Sequence, residues 1–412
     1  MIDFEQLFAR DLPTPAARLR GWPRYNFTGG HNDPEIVPVE ELIASTERVL
    51  RRDGRSLAAY NQGGDPLGYA GLRAFLADKL ASKRGIETAA DDILITSGSL
   101  QGLDLVNEVL LEPGDTVIME QLTYAGAIER ARRRGASVVG VPLDQGGMRI
   151  DLLAAALERL RASGVRPKYI YTIPTVQNPT GTVLDLERRR QLLALSDAHG
   201  VPIFEDECYA DLLWEGMWPT AIRGLEGGAQ VIHIGSFSKT LAPALRLGYV
   251  SAPWTVMSRL LACKTDGGTA ALEQMVVADY FGAHFDDHVG RLKAALRQKL
   301  EALTGALEEQ FGAAAEFMPP RGGIFLWVTL PDQVDTAALA GPALEAGVAF
   351  NPGPAWAVDP AAARHSLRLC FGHPPVAEIR AGIAKLAEVC HRETGVPERS
   401  ANVARNQALQ SG

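Results

Sequence analysis

Val231-Ile232-His233-Ile234-Gly235-Ser236-Phe237-Ser238-Lys239 is an apolar run that ends in a Ser-x-Ser-Lys, and Arg246 follows seven residues after the lysine. The run reads as a buried strand with the lysine at its end. Burial disfavours the ammonium form and lowers a lysine pKa. A neutral amine can form a Schiff base with an aldehyde. Two hydroxyls and a guanidinium close by can hold a phosphate through charge-assisted hydrogen bonds. Alone, a Ser-x-Ser-Lys is a weak signal, because most such lysines sit on a solvated surface, so the rest of the chain decides.

Upstream of this stretch, strand-like runs at 93–97, 116–120, 137–141, 168–173, 201–205 and 230–235 alternate with helical patterns near 101–112, 124–134, 151–163 and 185–199. Such alternation predicts an α/β fold with a mostly parallel sheet flanked by helices. Ligands of such sheets gather at the carboxyl ends of the strands. Ser99, Tyr124, Asn178, Asp206 and Lys239 all fall there. Beyond about 285 the pattern changes to a long charged helix (286–311) and shorter strands at 325–330, 348–351 and 366–370. The expected division is a large domain over 46–285 and a smaller C-terminal α/β domain over 286–398 joined by 1–45. Residues 399–412 carry few large apolar side chains and are expected to form a disordered tail.

Composition narrows the function classes. The chain has 412 residues, too many for one compact core, with 46 % hydrophobic and 22 % charged residues. A net charge of −8 offers no attraction to nucleic acid or to an anionic membrane. No run approaches a membrane span, and Met1-Ile2-Asp3-Phe4-Glu5 lacks the features of a signal peptide. Four scattered cysteines without Cys-x-x-Cys fit a reduced cytoplasm, and no metal site is expected.

Five further motifs stand in order. Thr96-Ser97-Gly98-Ser99-Leu100-Gln101-Gly102 is a strand-to-helix turn able to aim backbone N–H groups at an anion, or simply to cap a helix. Glu120-Gln121-Leu122-Thr123-Tyr124 ends a strand. Asn178-Pro179-Thr180-Gly181 comes next, then Asp206-Glu207-Cys208-Tyr209, with 28 residues between Asn178 and Asp206 and 33 between Asp206 and Lys239. Leu367-Arg368-Leu369-Cys370-Phe371 places one arginine among apolar neighbours, where burial without a partner is unfavourable. Together these motifs resemble the class I/II aminotransferases of pyridoxal-phosphate fold type I, most of all the 2-aminoadipate/kynurenine aminotransferase branch. The resemblance runs from about Gly29 to Phe371.

The resemblance implies a seven-stranded-type sheet, pyridoxal 5'-phosphate as cofactor and a homodimer with active sites shared between subunits. Lys239 would carry the cofactor as a Schiff base and act as general base then acid. Asp206 would keep the ring nitrogen protonated and so support the electron sink. Asn178 and Tyr209 would bond the phenolic oxygen, and Tyr124 would stack on the ring. Ser99, the backbone at Leu100, Ser236, Ser238 and Arg246 would hold the phosphate. Arg368 would take the substrate α-carboxylate with its fork, unless an internal acid pairs with it. Gly30, His31, Asn32 and Trp356 would border the substrate.

Several positions depart from the family pattern. Leu100 stands where relatives often have glutamine, Leu122 and Asn32 where they have proline, and Trp356 where they have phenylalanine. The family tyrosine that reaches the other subunit's phosphate lies five residues before the glycine of Gly-Tyr-x-x-Leu-Arg; here that position is Gly63, and Tyr60 lies eight before Gly68. Either an inserted loop keeps Tyr60 in the role, or the tyrosine is lost and the site remodelled. Insertion is the cheaper change.

The expected activity is transfer of the amino group of an L-amino acid to a 2-oxo acid by a ping-pong route. The alternative is another pyridoxal-phosphate reaction on the same fold: elimination, cyclisation or oxidation of an amino acid. The expected partners are the two small substrates, with no nucleic acid and no membrane. A transcription regulator and an inactive binding protein fit less well, given the acidic charge and the intact Lys239 and Asp206.

Overall fold

In the computed structural model, residues 2–8, 12, 15–16, 18, 21–214 and 218–397 are described. The expected tail over 399–412 lies outside them. Strands β1 (Ile93–Thr96), β2 (Thr116–Glu120), β3 (Ser137–Val141), β4 (Ile170–Thr172), β5 (Ile203–Asp206), β6 (Ile232–Ser236) and β7 (Gly248–Ser251) form one seven-stranded sheet in the order β1-β7-β6-β5-β4-β2-β3. All pairings are parallel except those of β7, which runs antiparallel to both β1 and β6. Parallel strands buried on both faces need continuous apolar runs, and β1, β2, β5 and β6 are buried along their whole lengths.

Helices α1 (Val39–Asp53), α2 (Ala70–Arg84), α3 (Ser99–Leu110), α4 (Ala125–Arg133), α5 (Ile150–Ala162), α6 (Leu186–His199) and α7 (Trp254–Cys263) surround or adjoin this sheet. Their ends follow local chemistry. Asp185 caps α6 by accepting from the Arg188 N–H at 2.8 Å, and the helix stops at Gly200, left-handed with φ 61°. Helix α8 (Ala271–Phe311) begins well before the expected 286, so the proposed boundary at 285/286 falls inside one continuous helix. Helices α9 (Thr336–Glu345) and α10 (Val376–Thr394) complete the set.

The second sheet has four antiparallel strands: β8 (Glu316–Phe317), β9 (Phe325–Thr329), β10 (Asn351–Pro352) and β11 (Ser366–Cys370), ordered β8-β9-β11-β10. Tyr25–Asn26 pairs in parallel with Val348–Ala349, which stitches the N-terminal segment to this part of the chain. Phe27, Leu303, Ile324, Phe371 and Ile383 share its core with Val176 and Leu212 from beside the large sheet.

A buried charge cluster locks the end of β5. Glu207 accepts from Arg84 Nε at 2.6 Å and from Arg84 Nη2, from Thr175 Oγ1 at 2.6 Å, and from Arg189 Nη1 at 3.5 Å. Arg84 ends α2 and Arg189 belongs to α6, so one carboxylate ties two helices and a loop to one strand. Burial pushes its pKa up, but the two guanidinium groups outweigh this and hold it at about 2, against an ordinary 4.5. Its stabilising contribution is therefore complete above about 4.5 and is lost as pH falls toward about 2. Glu207→Gln should destabilise the protein at pH 7 by about 3–5 kcal/mol, because two buried guanidinium groups lose their counter-charge. In urea titrations the gap between variant and parent should narrow as pH falls through that window. A gap that stays constant would mean that Glu207 is not ionised in the folded protein.

Candidate active site

The carboxyl ends of β1, β2, β4, β5 and β6 meet strand β11 around a cavity of about 310 Å³. Asp206, the last residue of β5, forms its buried acid. Its Oδ2 accepts from the Tyr171 hydroxyl at 2.7 Å and its Oδ1 from the Cys208 N–H at 3.1 Å. Burial pushes the Asp206 pKa up, while these donors favour the anion. Cys208 also lines the cavity, but burial pushes its thiol well above its ordinary value, which disfavours the thiolate.

Lys239 enters from the end of β6. Its Nζ donates to the Gly30 carbonyl at 2.6 Å, and burial lowers its pKa. Gly30 leaves room for this approach, because a Cβ there would displace Nζ from its present place.

One end of the cavity is built for an anion. Helix α3 starts at Ser99 with Gly98 as its N-cap and no side-chain cap, so its positive end is open toward Ser99 and Leu100 at the wall. Leu100 brings no side-chain donor; its backbone serves. Ser236, Ser238 and Arg246 line the same cavity. Arg246 adopts φ 51°, uncommon outside glycine, and its side chain donates only to the carbonyls of Pro243 (3.1 Å) and Ser97 (3.3 Å). Gly98, at φ 77°, lets it approach, since a Cβ would collide with the guanidinium.

The walls suit a flat ring. Tyr124 and Trp356 lie with centroids 6.0 Å apart. Asn178 Nδ2 donates to the Tyr209 hydroxyl at 3.4 Å, and Tyr209 packs edge-on against Phe325. Above them sits Arg368. Its Nη1 donates to Asn178 Oδ1 (3.0 Å) and its Nη2 to the Gly29 carbonyl (2.8 Å) and to Asn351 Oδ1 (3.3 Å). The guanidinium stacks 3.7 Å over the Trp356 ring, and its buried Nε has no partner. No carboxylate pairs with it among the described residues, so the internal ion pair left open by the sequence is not formed there.

Three expected residues are elsewhere. His31 packs against Trp22 and His373 rather than lining the cavity. Asn32 donates its Nδ2 to the Leu241 carbonyl at 2.9 Å and accepts on its own carbonyl from His373. Tyr60 is 86 % exposed, its ring beside Gly267. Conversely Tyr171, Ile173, Asn351 and Gly98 were not anticipated. Gly98 stood in the Ser-Gly-Ser turn and Asn351 just before Pro-Gly-Pro; Tyr171 shows no signal until β4 and β5 are paired. Glu205, Glu207 and His233 lie close enough to share an ion, but both carboxylates are occupied by arginine or backbone donors.

Comparison with known proteins agrees with this geometry. The profile of the family described as aminotransferase class I and II matches residues 26–386. The aromatic-amino-acid aminotransferase 1 of Thermococcus litoralis is 34 % identical over 403 residues, covering 95 % of this chain and 96 % of that protein. The crystal structure of a multiple substrate aminotransferase from Thermococcus profundus superimposes with a TM-score of 0.87 at 32 % identity, covering 95 % of this chain and 99 % of that one. The α-aminoadipate aminotransferase of Thermus thermophilus, complexed with N-(5'-phosphopyridoxyl)-L-leucine, gives 0.82 at 32 % identity over 89 % of this chain and 91 % of that one. The chain belongs to the class I and II aminotransferases. Its cofactor is pyridoxal phosphate, and the residues present fit it: a bare Gly98 beside an acid-free arginine, a buried acid, and a lysine of lowered pKa on one cavity.

Sodium borohydride should fix the cofactor to Lys239, recovered as a single labelled peptide. Lys239→Ala should still bind cofactor non-covalently while turnover falls roughly 10³-fold or more. Label on any other lysine would overturn the assignment.

Proposed function

We propose that this enzyme takes the amino group from an aromatic or other apolar L-amino acid and gives it to a 2-oxo acid. The observation that carries the reading is Arg368, a buried guanidinium without an acid on the cavity that Lys239 enters. A substrate α-carboxylate would supply both the missing charge and an acceptor for Nε. Beyond it the charged lining residues are Asp206, Lys239 and Arg246, each with a task toward the cofactor. Among the described lining residues no cation is left for a side-chain carboxylate, while Tyr124, Ile173, Pro243 and Trp356 offer apolar surface.

Bound pyridoxal phosphate supplies the aldehyde that accepts the amino group and the ring that takes up the electrons released at Cα. Ser99, Ser236, Ser238 and Arg246 would hold its phosphate. Asp206 would hold the proton on the ring nitrogen, steadied by Tyr171. Asn178 and Tyr209 would donate to the phenolic oxygen. Lys239 Nζ, its neutral form favoured by burial, would remove the Cα proton and return it across the nitrogen to the cofactor's aldehyde carbon. Phenylalanine should exceed aspartate in kcat/KM by at least about tenfold, and Arg368→Lys should cut kcat/KM for phenylalanine by roughly 10–100-fold. A preference for aspartate would overturn the side-chain reading. An unchanged Arg368→Lys would overturn the carboxylate role.

The assembly we infer is a homodimer in the cytoplasm. The unpaired state of all four cysteines supports a reduced compartment. Val39, Ile43 and Leu50 of α1 form an exposed apolar strip, and Tyr60 stands out from the surface. Tyr60 would complete the phosphate site of a second copy. The division into two domains would then run through α8, with the N-terminal segment in the smaller one. Mixing Lys239→Ala with Tyr60→Phe subunits should form hybrid dimers in which one site carries both lesions and the other none. At limiting cofactor, activity should rise above that of either parent as subunits exchange. No rise would mean that Tyr60 does not cross.

A further inference from the structure

Glu120 is a fully buried acid that the chemistry above does not use. It ends β2 and lies 1 % exposed. Burial pushes its pKa up to about 7, against the pull of four donors, and no cation appears among the groups acting on it. The donors are all neutral: Thr172 Oγ1 at 2.6 Å, Thr123 Oγ1 at 3.2 Å, Gln177 Nε2 at 3.3 Å, and the Ile173 N–H at 3.2 and 3.3 Å from the two oxygens. A buried acid without a counter-charge is an expensive way to pack a strand end, so the places its donors come from matter.

Each donor sits on or next to a wall of the cofactor cavity. Thr123 precedes Tyr124, and its N–H also donates to the Trp356 carbonyl at 2.9 Å. Ile173 lines the cavity itself. Gln177 precedes Asn178, and its Nε2 also reaches the Leu122 carbonyl at 2.7 Å. The turn between Ile173 and Asn178 is strained as well. Val176 has φ 57°, an outlier for a β-branched residue. Such a conformation persists only where surroundings over-determine it. Here Thr175 is held by Glu207 on one side of Val176, and Gln177 by Glu120 on the other.

We propose that Glu120 is a positioning residue for the cofactor ring, fixing Tyr124 on one wall and Asn178 on another through Thr123, Ile173 and Gln177. It touches neither cofactor nor substrate. One acid can do this because two carboxylate oxygens accept from several directions at once, which an amide cannot. Glutamine at this position would keep the size but turn one oxygen into a donor facing other donors. The Thr123 hydroxyl can rotate to accept, whereas the Gln177 amide could do so only by a flip that breaks its bonds with Thr180 and the Leu122 carbonyl, so the Asn178 wall should shift most. The proposal rests on the cavity being the cofactor site, which borohydride labelling of Lys239 tests separately.

The experiment compares the holoenzyme with Glu120→Gln and Thr123→Val. The readouts are the visible circular dichroism of the bound cofactor, its absorbance maximum, thermal unfolding, and kcat and KM. Ring asymmetry in the site generates the dichroism, so a purely structural residue would alter unfolding without changing the band per folded site. For Glu120→Gln the band should fall at least about twofold and kcat by roughly 10–100-fold, since small misplacements at a reacting centre are costly. The labelled lysine should be unchanged. Thr123→Val, which deletes one donor at constant size, should change the band in the same sense with a smaller loss of kcat. A normal band and kcat in folded Glu120→Gln would overturn the proposal. If Glu120→Gln does not fold, a normal band in Thr123→Val overturns it instead.

Discussion

The alternation of side chains along Glu205-Asp206-Glu207 is the constraint on which the rest depends. Successive residues of a strand point to opposite faces. Glu205 and Glu207 face a layer in which every carboxylate oxygen is claimed, Glu205 by the Ile222 and Arg223 N–H groups and His233, Glu207 by two arginines and Thr175. Asp206 must then face the cavity. A slip of one residue would bury an aspartate among the arginines and put a longer acid in the cavity, so one pattern specifies both the register and the acid that the cavity receives. The cluster also reaches Arg84 and Arg189, so α2 and α6 are fixed relative to the same strand.

The two other buried arginine environments show how differently a guanidinium can be handled. Arg84 and Arg189 are charge-matched within the protein. Arg368 receives only neutral acceptors and a stack on Trp356, and burial lowers its pKa. Its strand Ser366–Cys370 is buried throughout, and its guanidinium faces the cavity. Arg368 therefore carries a charge that no acid among the described residues neutralises, and the proposed carboxylate role rests on this. A carboxylate held by that fork would be oriented as well as bound, because two parallel N–H bonds define a plane.

How far the amino-acid sequence could be read depended on whether a feature is local. Lys239, Asp206, Asn178, Tyr209, Ser99 and Arg246, expected from motifs at or after the ends of visible apolar runs, all line one cavity. Arg368 was found because it interrupts such a run. The antiparallel strand Gly248–Ser251 was not, since its place between β1 and β6 is a matter of pairing rather than pattern. The early start of α8 at Ala271 was missed because the charged helical pattern becomes plain only later. His31 and Asn32 sit in the expected segment, yet Trp22, Leu241 and His373 hold their side chains, contacts made across distant parts of the chain. Glu120 carried no local signal at all. Its meaning lies in four donors from three segments.

Helix α8 has a mechanical consequence. Its 41 residues make a rod of about 60 Å, buried against α2 near its start and against the smaller sheet's core near its end. Any closing of the smaller sheet over the cavity must therefore pass through this rod as a tilt or a bend. Gly282, Gly290 and Gly305 lie along the rod, and a Cβ at any of them would meet nothing within 4 Å. Packing does not require glycine there, and glycine weakens a helix by about 1 kcal/mol relative to alanine. The rod therefore carries three such weak points, and one of them, Gly290, falls where its packing passes from Val289 in one core to Leu292 in the other.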